Sequence, residues 1–211
     1  MKFEEKKIPV IEWTFDENDM DMGVDCISFV EDPATEVNWM KFNAKKPQRF
    51  EKNKAKRMVT GPIMLADTPI YRVSESMGEY FGKFSPETIE KMMIKYFKEG
   101  KMNRVNEEHT SNRIVDDVFL VESFIVGDKI ESKLFENLPA GTWVGTFYIK
   151  DEEYWNEKIM KDEFGGFSLE GMFFEELEEN MMSQLYSKVE ALILHANDDQ
   201  ELIDNLEELL K

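Results

Sequence analysis

Thiols are all but absent from this chain. Cys26 is the single cysteine, so no internal disulfide can form, and no neighbouring Cys or His cluster makes it a zinc ligand. A reducing, cytoplasmic setting is the expectation. Long apolar runs are missing too: nothing approaches the roughly eighteen residues of a spanning helix, and the start, "MKFEEKKIPVIEW", lacks the apolar core of a signal peptide. No membrane association is predicted. Basic residues are in the minority, 26 Lys and Arg against 44 Asp and Glu, for a net charge of -18. That field repels phosphate backbones and anionic lipid, which excludes direct nucleic-acid binding. There is no Walker-type glycine loop and no G-x-G-x-x-G. The acidic "DENDMDMGVD" fails as a calcium loop, because Gly23 is out of register with Asp19 and Asp21 and the closing Glu is missing. No metal and no cofactor are expected. Histidine is as scarce as these signals: only His109 and His195 are present.

What remains is a chain of 211 residues, enough for one domain with appendages. Residues 1–43 hold two strand candidates, "IPVIEWTF" and "VDCISFV", and then the turn signal Asp32-Pro33, and are expected as an N-terminal arm. Residues 44–57, "AKKPQRFEKNKAKR", are basic within an acidic protein and read as a linker. From 58 to 176, short apolar runs punctuated by Gly, Pro and Asp predict a strand-rich domain. One helix stands out, "SPETIEKMMIKYFKEG", with Ser85 as N-cap, Pro86 at its first position and Gly100 as its stop. Ile89, Met92, Met93, Tyr96 and Phe97 would form its packing face. A second helix is expected in "DEEYWNEKIMKDEF". Residues 177–211 repeat Leu, Ile, Val and Met at helical spacing amid acids, predicting a helical tail. Its apolar stripe fits either the tail's own domain or a partner.

The stretch "DEFGGFSLEGMFFEE" carries the chemistry. Strand alternation puts Phe167 and Leu169 on one face and Ser168, Glu170 and Met172 on the other, so Ser168 leaves the strand sideways. The spacing is not the G-x-S-x-G elbow of α/β-hydrolases, since the second glycine comes one residue late. A serine hydroxyl needs a positioned base to become a nucleophile, and histidine titrates in the right range. His109 lies at the end of a predicted strand and is the better base; His195 sits in the tail. A third group should orient the imidazole. Glu122 is one candidate, because "VFLVESFIV" sets a carboxylate in an apolar strand where burial is costly without a partner. Glu107, Glu108 and Glu170 are others, and the residues do not choose among them. Cys26 has no spacing that pairs it with a histidine.

Taken in order, "GPIMLADTPIYR", "FSPETIEKMMIKYFKEGKMNRVNEEH", "VFLVESFIV", "LPAGTWVGTFYI" and "GGFSLEG" resemble the phage prohead maturation proteases, in particular the XkdF-like serine protease branch. The resemblance spans roughly residues 55 to 176. It implies an α+β fold similar to the herpesvirus assemblins: a mostly antiparallel β-barrel with surrounding helices, here with an extended N-terminal arm and a helical tail. It also implies Ser168 as nucleophile and His109 as general base, with the third residue open. Such an enzyme is a serine endopeptidase inside the assembling procapsid in the host cytoplasm. There it cuts scaffold and capsid-protein extensions, and often itself. The implied partners are the major capsid protein, scaffold protein, portal and further copies of the chain. The alternative is a packaged virion protein that keeps the fold without its activity.

Overall fold

The computed structural model describes residues 8–31, 33, 51–74, 77–110, 113–127 and 138–177, together with 189, 190, 192, 193 and 203. The chain divides into two units, Met1–Glu175 and Glu176–Lys211. The first is mostly strands with few helices. In chain order it runs β1 Val10–Thr14, β2 Gly23–Val30, β3 Glu51–Asn53, β4 Met58–Met64, β5 Ile70–Ser74, β6 Gly78–Lys83, α1 Pro86–Lys98, β7 Val105–Glu107, β8 Val118–Ile125, β9 Trp143–Ile149, the short α2 Glu152–Tyr154 and β10 Gly166–Met172. A last strand, β11 Phe174–Leu177, runs past the boundary between the units. Beyond β11 the second unit's described residues, 189, 190, 192, 193 and 203, are all helical, and the rest of the expected tail lies outside the described residues.

The strands form three sheets, ordered β11-β1-β6-β5, β10-β2-β7 and β3-β4-β9-β8. None closes on itself, which differs from the expected barrel. The gap falls at β10 and β4, which lie close together without a ladder between them. Most pairings are antiparallel, but β1 with β6 and β2 with β7 are parallel. The described residues between 8 and 31 are therefore built into the sheets rather than forming a separate arm. β2 is the central strand of its sheet, with Ile27 and Phe29 fully buried, because "VDCISFV" is apolar enough to be covered on both faces. The end of the expected linker is likewise structured, as β3 pairs with β4.

The core gathers where β2, β9 and β10 meet. Phe29 stands 5.3 Å from Phe147 and 5.3 Å from Phe167 between ring centroids, and Phe147 and Phe167 are 4.8 Å apart. Such tilted and edge-on pairs add about 0.5–1.5 kcal/mol each beyond their buried area. α1 follows its sequence signals: Ser85 Oγ accepts from Thr88 N at 3.3 Å, and Gly100 takes a φ of 69° just past the end. It buries Ile89, Met92 and Tyr96, while Phe97 is exposed. The second expected helix is short. Asp151 caps α2, and the chain then widens into a π-helical turn over Trp155–Ile159, closed by Met160 N donating to Trp155 O at 2.9 Å.

Candidate functional site

Register in the three-stranded sheet builds the site. Ser168 on β10 stands opposite Ser28 on β2, and Ser28 stands opposite Asn106 on β7, so three polar side chains lie abreast across the sheet. Residues directly opposite share a face, with Cβ atoms about 4.5–5.5 Å apart in antiparallel pairs. Glu170, two residues beyond Ser168, points to that face as well.

His109 enters from a turn just past β7. Thr110 N donates to Glu107 O at 2.9 Å, and the two residues between, Glu108 and His109, both have positive φ, 47° and 55°. Left-handed backbone at two consecutive residues other than glycine costs energy and persists only where the surroundings fix it. Here β2 fixes it. Glu108 N donates to Phe29 O at 3.0 Å, and Glu31 N donates to Glu108 Oε1 at 2.6 Å. The imidazole is thereby held over the middle of the sheet.

Four side chains then converge. Ser28 Oγ donates to Glu170 Oε1 at 2.7 Å, and Asn106 Nδ2 donates to the same oxygen at 2.5 Å. His109 Nδ1 lies 3.2 Å from Ser28 Oγ and 3.3 Å from Glu170 Oε1. Because the Ser28 hydrogen is committed to the carboxylate, its oxygen is the acceptor toward His109, so Nδ1 carries the ring proton. The neutral imidazole then keeps its lone pair on Nε2. That is the tautomer a general base acting through Nε2 requires.

Among the predicted residues, the structure puts Ser168 and His109 at one sheet. It does not join them, since the Ser168 side chain makes no hydrogen bond among the described residues. Ser168 is half-buried and lines a cleft of about 270 Å³. Glu122 lies elsewhere, exposed on β8 in the sheet of β9. The burial that singled it out does not exist. A bulge between Leu120 and Glu122 breaks the alternation, so Val121 and Glu122 are both exposed. Glu107 opens the turn and Glu108 lies within it, and His195 lies outside the described residues. The residues that sequence reasoning missed are Ser28 and Asn106, both fully buried. Their one legible trace is a polar residue inside an apolar strand run.

The glycines around Ser168 serve close approach. A Cβ on Gly165 would sit 2.3 Å from Glu31 O, and one on Gly171 would sit 2.1 Å from Gly23 O. Both glycines press β10 onto β2 at its two ends, and Ser168 lies between. Cys26 neighbours the site and is 3% exposed. Burial, aided by the Glu170 charge, pushes its thiol up to about 12, so it is inert as a nucleophile. Among the described residues no group of His, Cys, Asp or Glu is arranged to hold a metal ion, and no helix is long and apolar enough to cross a membrane.

Comparison with known families gives a match. Residues 48–175, well over half of the chain, fit the family described as "Putative phage serine protease XkdF". The matched region includes His109, Ser168 and Glu170 and starts after β2, so Ser28 lies outside it. No curated protein matches, and no solved structure matches.

Proposed function

Since this chain belongs to the XkdF family of phage serine proteases, we propose that it is a serine endopeptidase of phage head maturation, with Ser168 as nucleophile, His109 as general base and Glu170 as the group that orients the base. The observation that carries this reading is the engagement of His109 Nδ1 by Ser28 and Glu170, which leaves Nε2 for the substrate side.

In the reaction, Nε2 of His109 takes the hydroxyl proton of Ser168 as Oγ adds to the scissile carbonyl carbon. The tetrahedral oxyanion is held by backbone N–H donors, and Glu170 balances the imidazolium. Nε2 then returns its proton to the departing amine, which leaves an acyl-enzyme. A water, deprotonated by the same nitrogen, hydrolyses that ester and restores Ser168. Peptide docking closes the remaining gap between Ser168 and His109, as hydrogen bonds in unliganded sites often tighten only with substrate. The substrates are scaffold and capsid-protein extensions and the chain itself, within the assembling procapsid.

Intact-mass analysis of the chain co-expressed with its capsid and scaffold proteins tests this. Discrete truncations should appear with the wild type and vanish with Ser168→Ala and with His109→Ala, corresponding to a loss on the order of 10⁴–10⁶ in rate. A second reading rests on the missing Ser168–His109 hydrogen bond: a packaged virion protein in which the pair is idle. It predicts identical masses for all three proteins.

A further inference from the structure

The cleft that Ser168 lines holds one group out of character with the chain. Its apolar lining comes from Trp13 of β1, Phe84 and Phe173, with Tyr80 of β6 beside them, and into this setting β5 contributes Arg72. Phe167 and Leu169 of one face of β10 line the cleft together with Ser168 of the other, so it lies along the strand's margin. That margin has no ladder partner among the described residues.

Acidic residues outnumber basic ones 44 to 26, and two other arginines are neutralised locally: Arg104 by Asp25 at 2.6 Å and Arg57 by Glu152 at 3.7 Å. Arg72 differs. It has no carboxylate partner among the described residues. Its guanidinium carbon stands 5.5 Å from the centroid of the Trp13 ring, and Nη1 donates to Tyr71 O at 2.9 Å. The cation–π contact holds the guanidinium over the indole while leaving its other N–H donors unused. The residue is exposed to solvent overall, yet its neighbours desolvate the guanidinium enough to lower its pKa. A charge so placed gains from a carboxylate that arrives with a ligand.

Building on the proposed protease activity, we infer that Arg72 is a specificity determinant, pairing with an Asp or Glu side chain close to the scissile bond of the peptide bound beside Ser168. The net charge of -18 argues for basic or neutral substrates at long range. Inside the cleft the contact charge decides, because exposed charges more than about 8–10 Å away are screened at physiological salt.

The test is cleavage of a synthetic peptide library by the full-length protein, with the cut sites read by mass spectrometry. Wild type, Arg72→Glu, Arg72→Lys and Ser168→Ala are compared. Wild type should favour peptides with Asp or Glu within about two residues of the cut, by about tenfold over neutral counterparts, the scale of one charge-assisted hydrogen bond. Arg72→Glu should erase or invert that preference. Arg72→Lys should keep part of it, and decides the matter if the reversal prevents folding. Cuts that depend on Ser168 but show no acidic preference, or a preference unchanged in Arg72→Glu, overturn the inference and leave the protease intact. An absence of Ser168-dependent cuts overturns both.

Discussion

Glu170→Gln keeps the shape of the group facing His109 Nδ1 and removes its charge. The imidazolium formed during acylation then loses its counterion, so kcat should fall by about 10²–10⁴ with KM little changed. Steady-state kinetics on a cleaved peptide reads both. Ser28→Ala removes a neutral hydrogen-bond partner but leaves Glu170 within reach of Nδ1 at 3.3 Å. A loss of no more than about tenfold is expected, the scale of one such bond. If Ser28 were itself the nucleophile, the same variant would be dead, although its 0% exposure argues against that role. Cys26 gives a pH-dependent check. With the thiol pushed up to about 12, the reactive thiolate at pH 8 is on the order of one part in ten thousand, rising as pH climbs toward that value. A thiol reagent should therefore label the folded protein far more slowly than the unfolded one at pH 8. At this scale Ser168 and His109, the proposed pair, were legible as candidates, because the chain has only two histidines and Ser168 sits in a glycine-flanked strand. Ser28, Asn106 and the choice of Glu170 were not, since they depend on the register of strands distant in sequence. Glu122 was misjudged because a bulge cannot be seen in an apolar run.

Strands and α1 were legible from alternation, capping and turn residues. Their partners were not, because nothing local announces that β2 runs parallel to β7 or that β1 runs parallel to β6. The second helix was expected in the right stretch, but the wider turn at Trp155–Ile159 depends on packing of Trp155 and Ile159 into the core. The pressed contact between β10 and β2 makes its own prediction. In Gly171→Ala the new methyl would fall 2.1 Å from Gly23 O, a main-chain atom that cannot rotate aside. The register already shifts between Glu170 and Gly171, so the strands must part further there. Destabilisation of about 1–3 kcal/mol is expected, which for a chain of this size lowers Tm by about 2–12 °C. Thermal unfolding followed by circular dichroism measures it. Activity should fall more than stability, because the shift sits beside Glu170.

The family match begins at residue 48, yet the sheet that carries the site is centred on β2, residues 23–30. A fragment spanning 48–175 would lose the strand that separates β10 from β7 and the backbone that anchors the His109 turn. Such a fragment should fail to fold into a cooperative unit, seen as collapsed amide dispersion in an NMR spectrum beside that of the full chain. The same topology explains why the whole was harder to read than its parts: a segment that looks like an appendage is the middle of a sheet.

The interleaving of strands also dictates when the site can come into being. Ser28 meets His109 across 81 residues of sequence and Glu170 across 142. Contacts so distant must wait for the intervening chain, and they are the slow part of folding. On a ribosome β2 is among the first strands to emerge and β10 among the last, so β2 lacks its β10 partner through most of synthesis. On the proposed reading, a protease assembled in this order is harmless while nascent. The proposed base, orienting carboxylate and nucleophile cannot be aligned until residue 172, the end of β10, has cleared the exit tunnel.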